Sequence, residues 1–199
     1  MSTIKFNPRA ITVLAFILVI GLFRALIPIF GNANVLANYS AVGAIAMFGA
    51  AYFNNNAKAF GFPLLTLLIS DLILSATFYS NYSTGFLYEG WYLVYGAFAL
   101  MVLASKFIIK NVSVASVVMA AVATVLIHWI VTDLGVWYGS TMYPQTLSGY
   151  LMVLNAAIPF ELRFFNGTLG YSAVMFGLFE YLKSKFPALQ STQNGILVG

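Results

Sequence analysis

Six stretches of this sequence, at about residues 10–30, 40–53, 59–78, 91–109, 113–136 and 166–183, are apolar almost without interruption. A helix needs about 20 such residues to cross the roughly 30 Å hydrocarbon core of a bilayer, and most of these runs approach that length. No other feature constrains the fold as tightly. The chain is 61% hydrophobic and 7% charged, against about 25% charged in an average soluble domain, so it has too little polar surface to face water all round. The pattern predicts an all-α polytopic membrane protein. It is a single six-helix bundle over residues 1–186, followed by a flexible tail over 187–199. A shorter segment at 146–160 is interrupted by Ser148, Tyr150 and Asn155 and ended by Pro159; it reads as an amphipathic or re-entrant helix.

Charge sets the expected orientation. Lys5 and Arg9 precede the first run, Lys58 lies between the second and third, Lys106 and Lys110 between the fourth and fifth, and Lys183 and Lys185 after the sixth. The connections 31–39 and 79–90 hold no Lys or Arg; only Arg163 stands on the other side. Basic residues concentrate on cytoplasmic loops, so both termini are expected to be cytoplasmic, with 31–39, 79–90 and 137–165 outside. The first run is longer than the core of a cleaved signal and reads as a retained span. Asn54, Asn55, Asn56 and Lys58 make a polar turn, so the second and third runs form a helical hairpin.

Several chemistries drop out. There are no cysteines and one histidine, which removes thiolate ligands, thiol nucleophiles and the usual zinc patterns. The net charge of +4 is too small and too scattered for nucleic acid. No Walker loop, serine elbow or dinucleotide-binding glycine pattern appears. The chain is read as a non-enzyme without a cofactor.

The informative residues are the few polar ones inside apolar runs. An ionised side chain at the bilayer centre costs about 2.5–3.5 kcal/mol on insertion scales, so Asp71, within LLISDLIL, needs a partner. At about 1.5 Å per residue, Asp71 lies roughly 18 Å, Arg24 roughly 21 Å and His128 roughly 22 Å from the cytoplasmic starts of their runs. Three ionisable groups on three helices therefore share one level. Arg24 and Asp71 form either a structural ion pair, as buried charges demand, or the floor of a cavity. Asp133 sits higher, and Trp129, Asp133 and Trp137 recur every four residues along one helix face. Tyr79, Tyr82, Tyr88, Trp91, Trp137, Tyr138 and Tyr143 crowd the external connections, as an interfacial belt or as the lid of a pocket.

The stretch NYSAVGAIAMFGAAYFNNNAKAFGFPLLTLLISDLIL resembles a small bacterial family of transport proteins. Its members read N-F-S-P-V-G-A-x-A-L-F-G-G-A-Y-F, then a polar turn and P-L-x-x-L-x-x-S-D-L. VTDLGVWYGSTMYPQTLSGY and AAIPFELRFFNGTLGYSAVMFG extend the likeness over most of residues 38–177. That family is similar in turn to the substrate-binding S-components of energy-coupling-factor (ECF) vitamin transporters. The resemblance implies a six-helix subunit in a bacterial cytoplasmic membrane that binds a small molecule, cobalamin or another vitamin, in an outward pocket. It would work with an ATPase pair and a transmembrane coupling subunit, or alone. The chain departs from the pattern in three places: no A-x-x-x-A in the first span, no cysteine to ligate cobalt, and Asp133 where relatives show asparagine. The pocket expected on these grounds has Arg24 and Asp71 at its floor, Asn38, Tyr39 and Ser40 from the first external connection, and Tyr79 and Tyr82 from the second. His128, Asp133, Trp137 and Tyr143 complete it. The rivals are a structural accessory subunit of a larger membrane complex and, third, a membrane enzyme that uses Asp71 and His128 on a lipid.

Overall fold

The computed structural model describes residues 7–30, 39–77 and 87–190. They form six helices: α1 (Pro8–Phe30), α2 (Val42–Tyr52), α3 (Asn56–Ala76), α4 (Trp91–Ile108), α5 (Val114–Trp137) and α6 (Leu147–Lys185), followed by a 3-10 turn at Pro187–Leu189. No strand occurs among the described residues. Four of the helices, α1, α3, α4 and α5, are long and apolar enough to cross a membrane. Polarity is inverted relative to a soluble fold. Leu22, Phe23, Leu65, Leu72, Leu100, Phe107, Met119 and Leu126 point outward, while Ser70, Asp71, Ser105, Thr124, Asp133, Glu161, Thr168 and Ser172 are buried. Lipid, not water, is the solvent that such a surface suits.

The centre of the bundle is α2, which packs against each of the other five helices. Every residue of it except Ala51 is buried. Its small residues, Gly43, Ala44, Ala46, Gly49 and Ala50, let neighbouring backbones approach closely. With 11 residues it is only about 16 Å long, too short to cross a bilayer. The run at 40–53 is therefore an enclosed half-length helix and not one of six full spans. It begins at mid-bundle: a Cβ on Gly43 would come within 2.4 Å of Thr168 Oγ1 and 3.0 Å of Thr124 Cγ2, both well inside their helices. Just before it, the Tyr39–Ser40 backbone crosses α6 at Gly167, where a Cβ would lie 2.8 Å from the Tyr39 carbonyl carbon.

Consecutive helices alternate in direction, and the contacts at one end establish this. Arg9 at the start of α1 sits over the ring of Tyr52 at the end of α2, 5.6 Å from its centroid. Tyr52 Oη donates to Glu180 Oε1 at 2.7 Å, and Lys183 pairs with the same carboxylate. Glu180 thus ties α6 to α2 as well as pairing with a lysine one turn on. Lys106 Nζ, near the end of α4, donates to the Phe53 carbonyl at 3.5 Å. Asn55 caps α3, its Oδ1 accepting from the Lys58 amide at 3.2 Å, as the polar turn requires. Arg9, Lys58, Lys106, Lys183 and Lys185 thus gather at one end, over a cluster in which Phe48 packs against Phe16, Tyr52, Phe176 and Phe179.

Two expectations about the C-terminal third are corrected. Residues 146–160 are not a separate re-entrant helix: α6 runs unbroken for 39 residues with Pro159 inside it, about 58 Å in all. Pro159 removes one backbone hydrogen bond, to the carbonyl four residues earlier, but α5 packs along α6 on both sides of that point and holds the helix together. The connection expected over 137–165 shrinks to 138–146. The tail does not come loose at 187 either. The Pro187–Leu189 turn packs against both α1 and α6, Leu189 is buried, and its carbonyl accepts from Arg9 Nη1 at 3.4 Å.

Candidate functional site

The polar interior divides into two clusters, and the first is built around Asp71. Helix α3 turns this carboxylate inward until its side chain is 1% exposed. Arg24 Nη1, from α1, stands 2.7 Å from Oδ1 and also donates to Ser70 Oγ. Tyr95 from α4 donates to Oδ2 at 3.1 Å, and Tyr88, ahead of α4, at 3.4 Å. Charge-assisted hydrogen bonds each contribute about 1.5–3 kcal/mol, enough together to offset the cost of placing the carboxylate there. Both oxygens of Asp71 are engaged, and the slit between Arg24, Val42, Ile45, Thr66, Ser70 and Phe98 has no room for a molecule of water's size. Among the described residues this cluster is a pin between α1, α3 and α4.

His128 does not join it, contrary to the shared-level expectation. Its depth agrees, but its direction does not: it faces α6, where Nδ1 meets Glu161 Oε1 at 2.9 Å and the ring lies against Phe164 at 4.3 Å between centroids. Asp133 is on the same α6-facing side of α5, and the charges of both Glu161 and His128 act on it. Asp133 and Glu161 are 8% and 7% exposed. Among the described residues, Asp133 Oδ2 and Glu161 Oε2 have no hydrogen-bond donor, and below them neither do the Thr124 and Thr168 hydroxyls. A buried acceptor left without a donor costs about 1–3 kcal/mol, more when charged. The Ser105 hydroxyl on α4 is likewise without a partner, but only the α5–α6 cluster leaves carboxylate oxygens so among the described residues.

Above this second cluster the α5–α6 connection is held by its own hydrogen bonds. Gln145 Nε2 donates to the carbonyls of Trp137, Ser140 and Tyr143 at 2.8, 3.0 and 3.2 Å, and its Oε1 accepts from the Gly139 amide. Trp137 Nε1 donates to the Pro144 carbonyl at 2.9 Å, and the Trp137 ring packs on Tyr150 at 5.5 Å. Trp137 and Tyr143 are therefore parts of a folded cap, with Tyr143 contributing its backbone. Tyr39 and Ser40 lie against α6 at Gly167. Asn38, Tyr79 and Tyr82 fall outside the described residues.

Glu161 is the residue that sequence reasoning missed. In PFELRFF it sits two positions from Arg163, inside the stretch 137–165 expected to be an external connection. On a helix, positions two apart do not face each other. Arg163 instead lies over the Phe160 ring, 5.8 Å from its centroid, and Glu161 turns inward. The available signal was a lone acid on an otherwise apolar helix face, opposite the only histidine.

These elements coincide with the extent of a known sequence family. The model of DUF6580, a family of unknown function, matches residues 4–189, which takes in all six helices and both clusters. The chain belongs to the DUF6580 family. No curated protein and no solved structure matches it. Two larger hollows mark the α5–α6 seam of this DUF6580 protein. One, of about 200 Å³, lies beside Trp129 and Glu161. The other, a groove of about 590 Å³, runs at the basic end between Val112, Ser113 and the first turns of α5 on one side and Leu169, Phe176 and Glu180 of α6 on the other.

Proposed function

We propose that this DUF6580 protein is the small-molecule-binding subunit of an uptake system in a bacterial cytoplasmic membrane. Its basic end, with both termini, faces the cytoplasm. The single observation that carries this reading is the pair of buried carboxylate oxygens without donors, on Asp133 and Glu161, on the side of the hydrogen-bonded cap at the end opposite the basic one. Ionisable groups inside membrane helices belong to solute paths and binding sites more often than to plain packing, and an unsatisfied acceptor is a place for a ligand's donor. The resemblance to S-components supplies the wider frame: a vitamin-sized solute, cobalamin among the candidates, and either an ATPase pair with a coupling subunit or solitary action. The site lies between α5 and α6 in this reading, and the Arg24–Asp71 pair serves as scaffold.

That same pair favours a second reading. A fully satisfied ion pair pinning three helices is also what a structural accessory subunit of a larger membrane complex would carry. Native mass spectrometry of the detergent-solubilised protein separates the two. The uptake reading expects a co-purifying small molecule whose occupancy falls when Asp133 is changed to Asn. A protein without bound or bindable solute, pulled down in a stable complex that lacks ATPase subunits, would contradict it and favour the accessory role.

A further inference from the structure

The larger of the two hollows on the α5–α6 seam has no part in the uptake reading and does not depend on it. It is the groove of about 590 Å³ at the basic end, walled by Val114, Val117 and Val118 of α5 and by Ser172, Ala173 and Gly177 of α6. The sequence explains why the helices part there. The α6 wall is made of small residues and the α5 wall of short branched ones, and a Cβ added to Gly177 would meet nothing within 4 Å. Val114 and Val118 point outward, as do Val174 and Leu178, next in sequence to Ala173 and Gly177. The groove therefore opens sideways, into the surface that faces lipid. From Leu169 to Glu180 it follows about 16 Å of helix, the depth of one leaflet, which is about half of the roughly 30 Å hydrocarbon core.

The mouth of the groove is polar and basic. Ser113 and Glu180 line it. Exposed Lys110 stands three residues before Ser113, and Lys183, one turn beyond Glu180, brings its Nζ within 2.8 Å of Glu180 Oε1. That ion pair offsets the carboxylate's charge, and Tyr52 Oη donates to the same oxygen at 2.7 Å. Glu180 is the one acid among the described residues of this end, against Arg9, Lys58, Lys106, Lys110, Lys183 and Lys185. The surplus is positive, and an ammonium with three donors has one to spare beyond Glu180. Basic pockets between helices at a membrane surface attract anionic headgroups. A transmembrane helix fits less well, because it would cross both leaflets whereas the groove ends at Leu169. We infer that this groove holds an acyl chain of an anionic phospholipid from the leaflet on the basic side, its headgroup phosphate on Lys110 and Lys183.

The test is native mass spectrometry of the detergent-solubilised full chain, titrated with phosphatidylglycerol and with phosphatidylcholine of the same acyl chains. The expected result is one retained lipid per chain, with phosphatidylglycerol preferred at least roughly tenfold, as two lysines at a headgroup imply. Gly177→Phe puts a ring into the open groove and weakens binding of both lipids; Ala173→Leu serves the same purpose should that variant fail to fold. Changing Lys110 and Lys183 together to Gln removes the preference and leaves phosphatidylcholine binding as it was. Equal binding of the two lipids by the wild type would overturn the inference. So would full lipid binding in both groove variants, which would place the lipid elsewhere on the bundle. Displacement of phosphatidylglycerol by an equal concentration of inorganic phosphate would reduce the site to the anion alone and contradict the seated chain. A dimer that Gly177→Phe splits would give the groove to a second copy instead.

Discussion

At the scale of single residues, Asp71 and Glu161 make opposite uses of the same chemistry. Asp71 has every acceptor engaged, so its neighbours hold it at the cost of their own freedom to bind anything else. Removing one partner of a buried pair leaves an uncompensated charge, at about 3–5 kcal/mol. Arg24→Ala should therefore lower the thermal unfolding midpoint sharply in detergent, whereas adding Asp71→Asn to Arg24→Ala should recover part of that loss. A double variant no better than Arg24→Ala alone would show that Asp71 is not the charge Arg24 compensates. Tyr95→Phe, which deletes one donor to Asp71, should cost about 1.5–3 kcal/mol by the same measurement. Glu161 has the weaker claim to a structural role: its open oxygen already costs stability, so Glu161→Gln should leave the unfolding midpoint unchanged or raise it.

At the scale of elements, the short α2 decides how the longer helices meet. Its first turn abuts Thr124 and Thr168 through Gly43, so Gly43→Val forces a branched side chain into occupied space, at about 1–3 kcal/mol or more. Gly61, on α3, has nothing within 4 Å of the Cβ it would gain. Gly61→Ala should stabilise by up to about 1 kcal/mol through helix propensity alone; equal effects at the two positions, read by thermal unfolding, would contradict this packing. Much of the element plan was legible in the sequence. The apolar runs located α1, α3, α4 and α5, the Asn-rich turn located the α2–α3 hairpin, and rise per residue placed Arg24 beside Asp71. What rise per residue cannot encode is azimuth. His128 has the right depth for Asp71, yet its direction around α5 sends it to α6. The continuity of α6 was hidden for a related reason: Pro159 is a local stop signal, and only packing along α5, a long-range property, overrides it. The role of Glu161 depends on that continuity and was lost with it.

At the scale of the whole molecule, the bundle is apolar outside, holds two polar clusters within a largely apolar core, and its positive charge is concentrated at one end. That asymmetry predicts its orientation through the tendency of Lys and Arg to stay cytoplasmic. The chain contains no cysteine, so single cysteines report topology without background. Lys110→Cys should react with a membrane-impermeant maleimide only after cells are opened, and Met142→Cys in intact cells. The reverse pattern would invert the assigned orientation and put the cap over the second cluster on the cytoplasmic side. Within that frame the central claim is that the α5–α6 seam is an incomplete polar site which a ligand completes. The most direct measurement is a high-resolution density map of the full chain in lipid nanodiscs, purified without added solute. Non-protein density within hydrogen-bond distance of the Asp133 and Glu161 carboxylates, absent from a map of Glu161→Gln, is the predicted result. Carboxylates closed on one another by a protein donor, with empty apolar packing around them, would contradict the account.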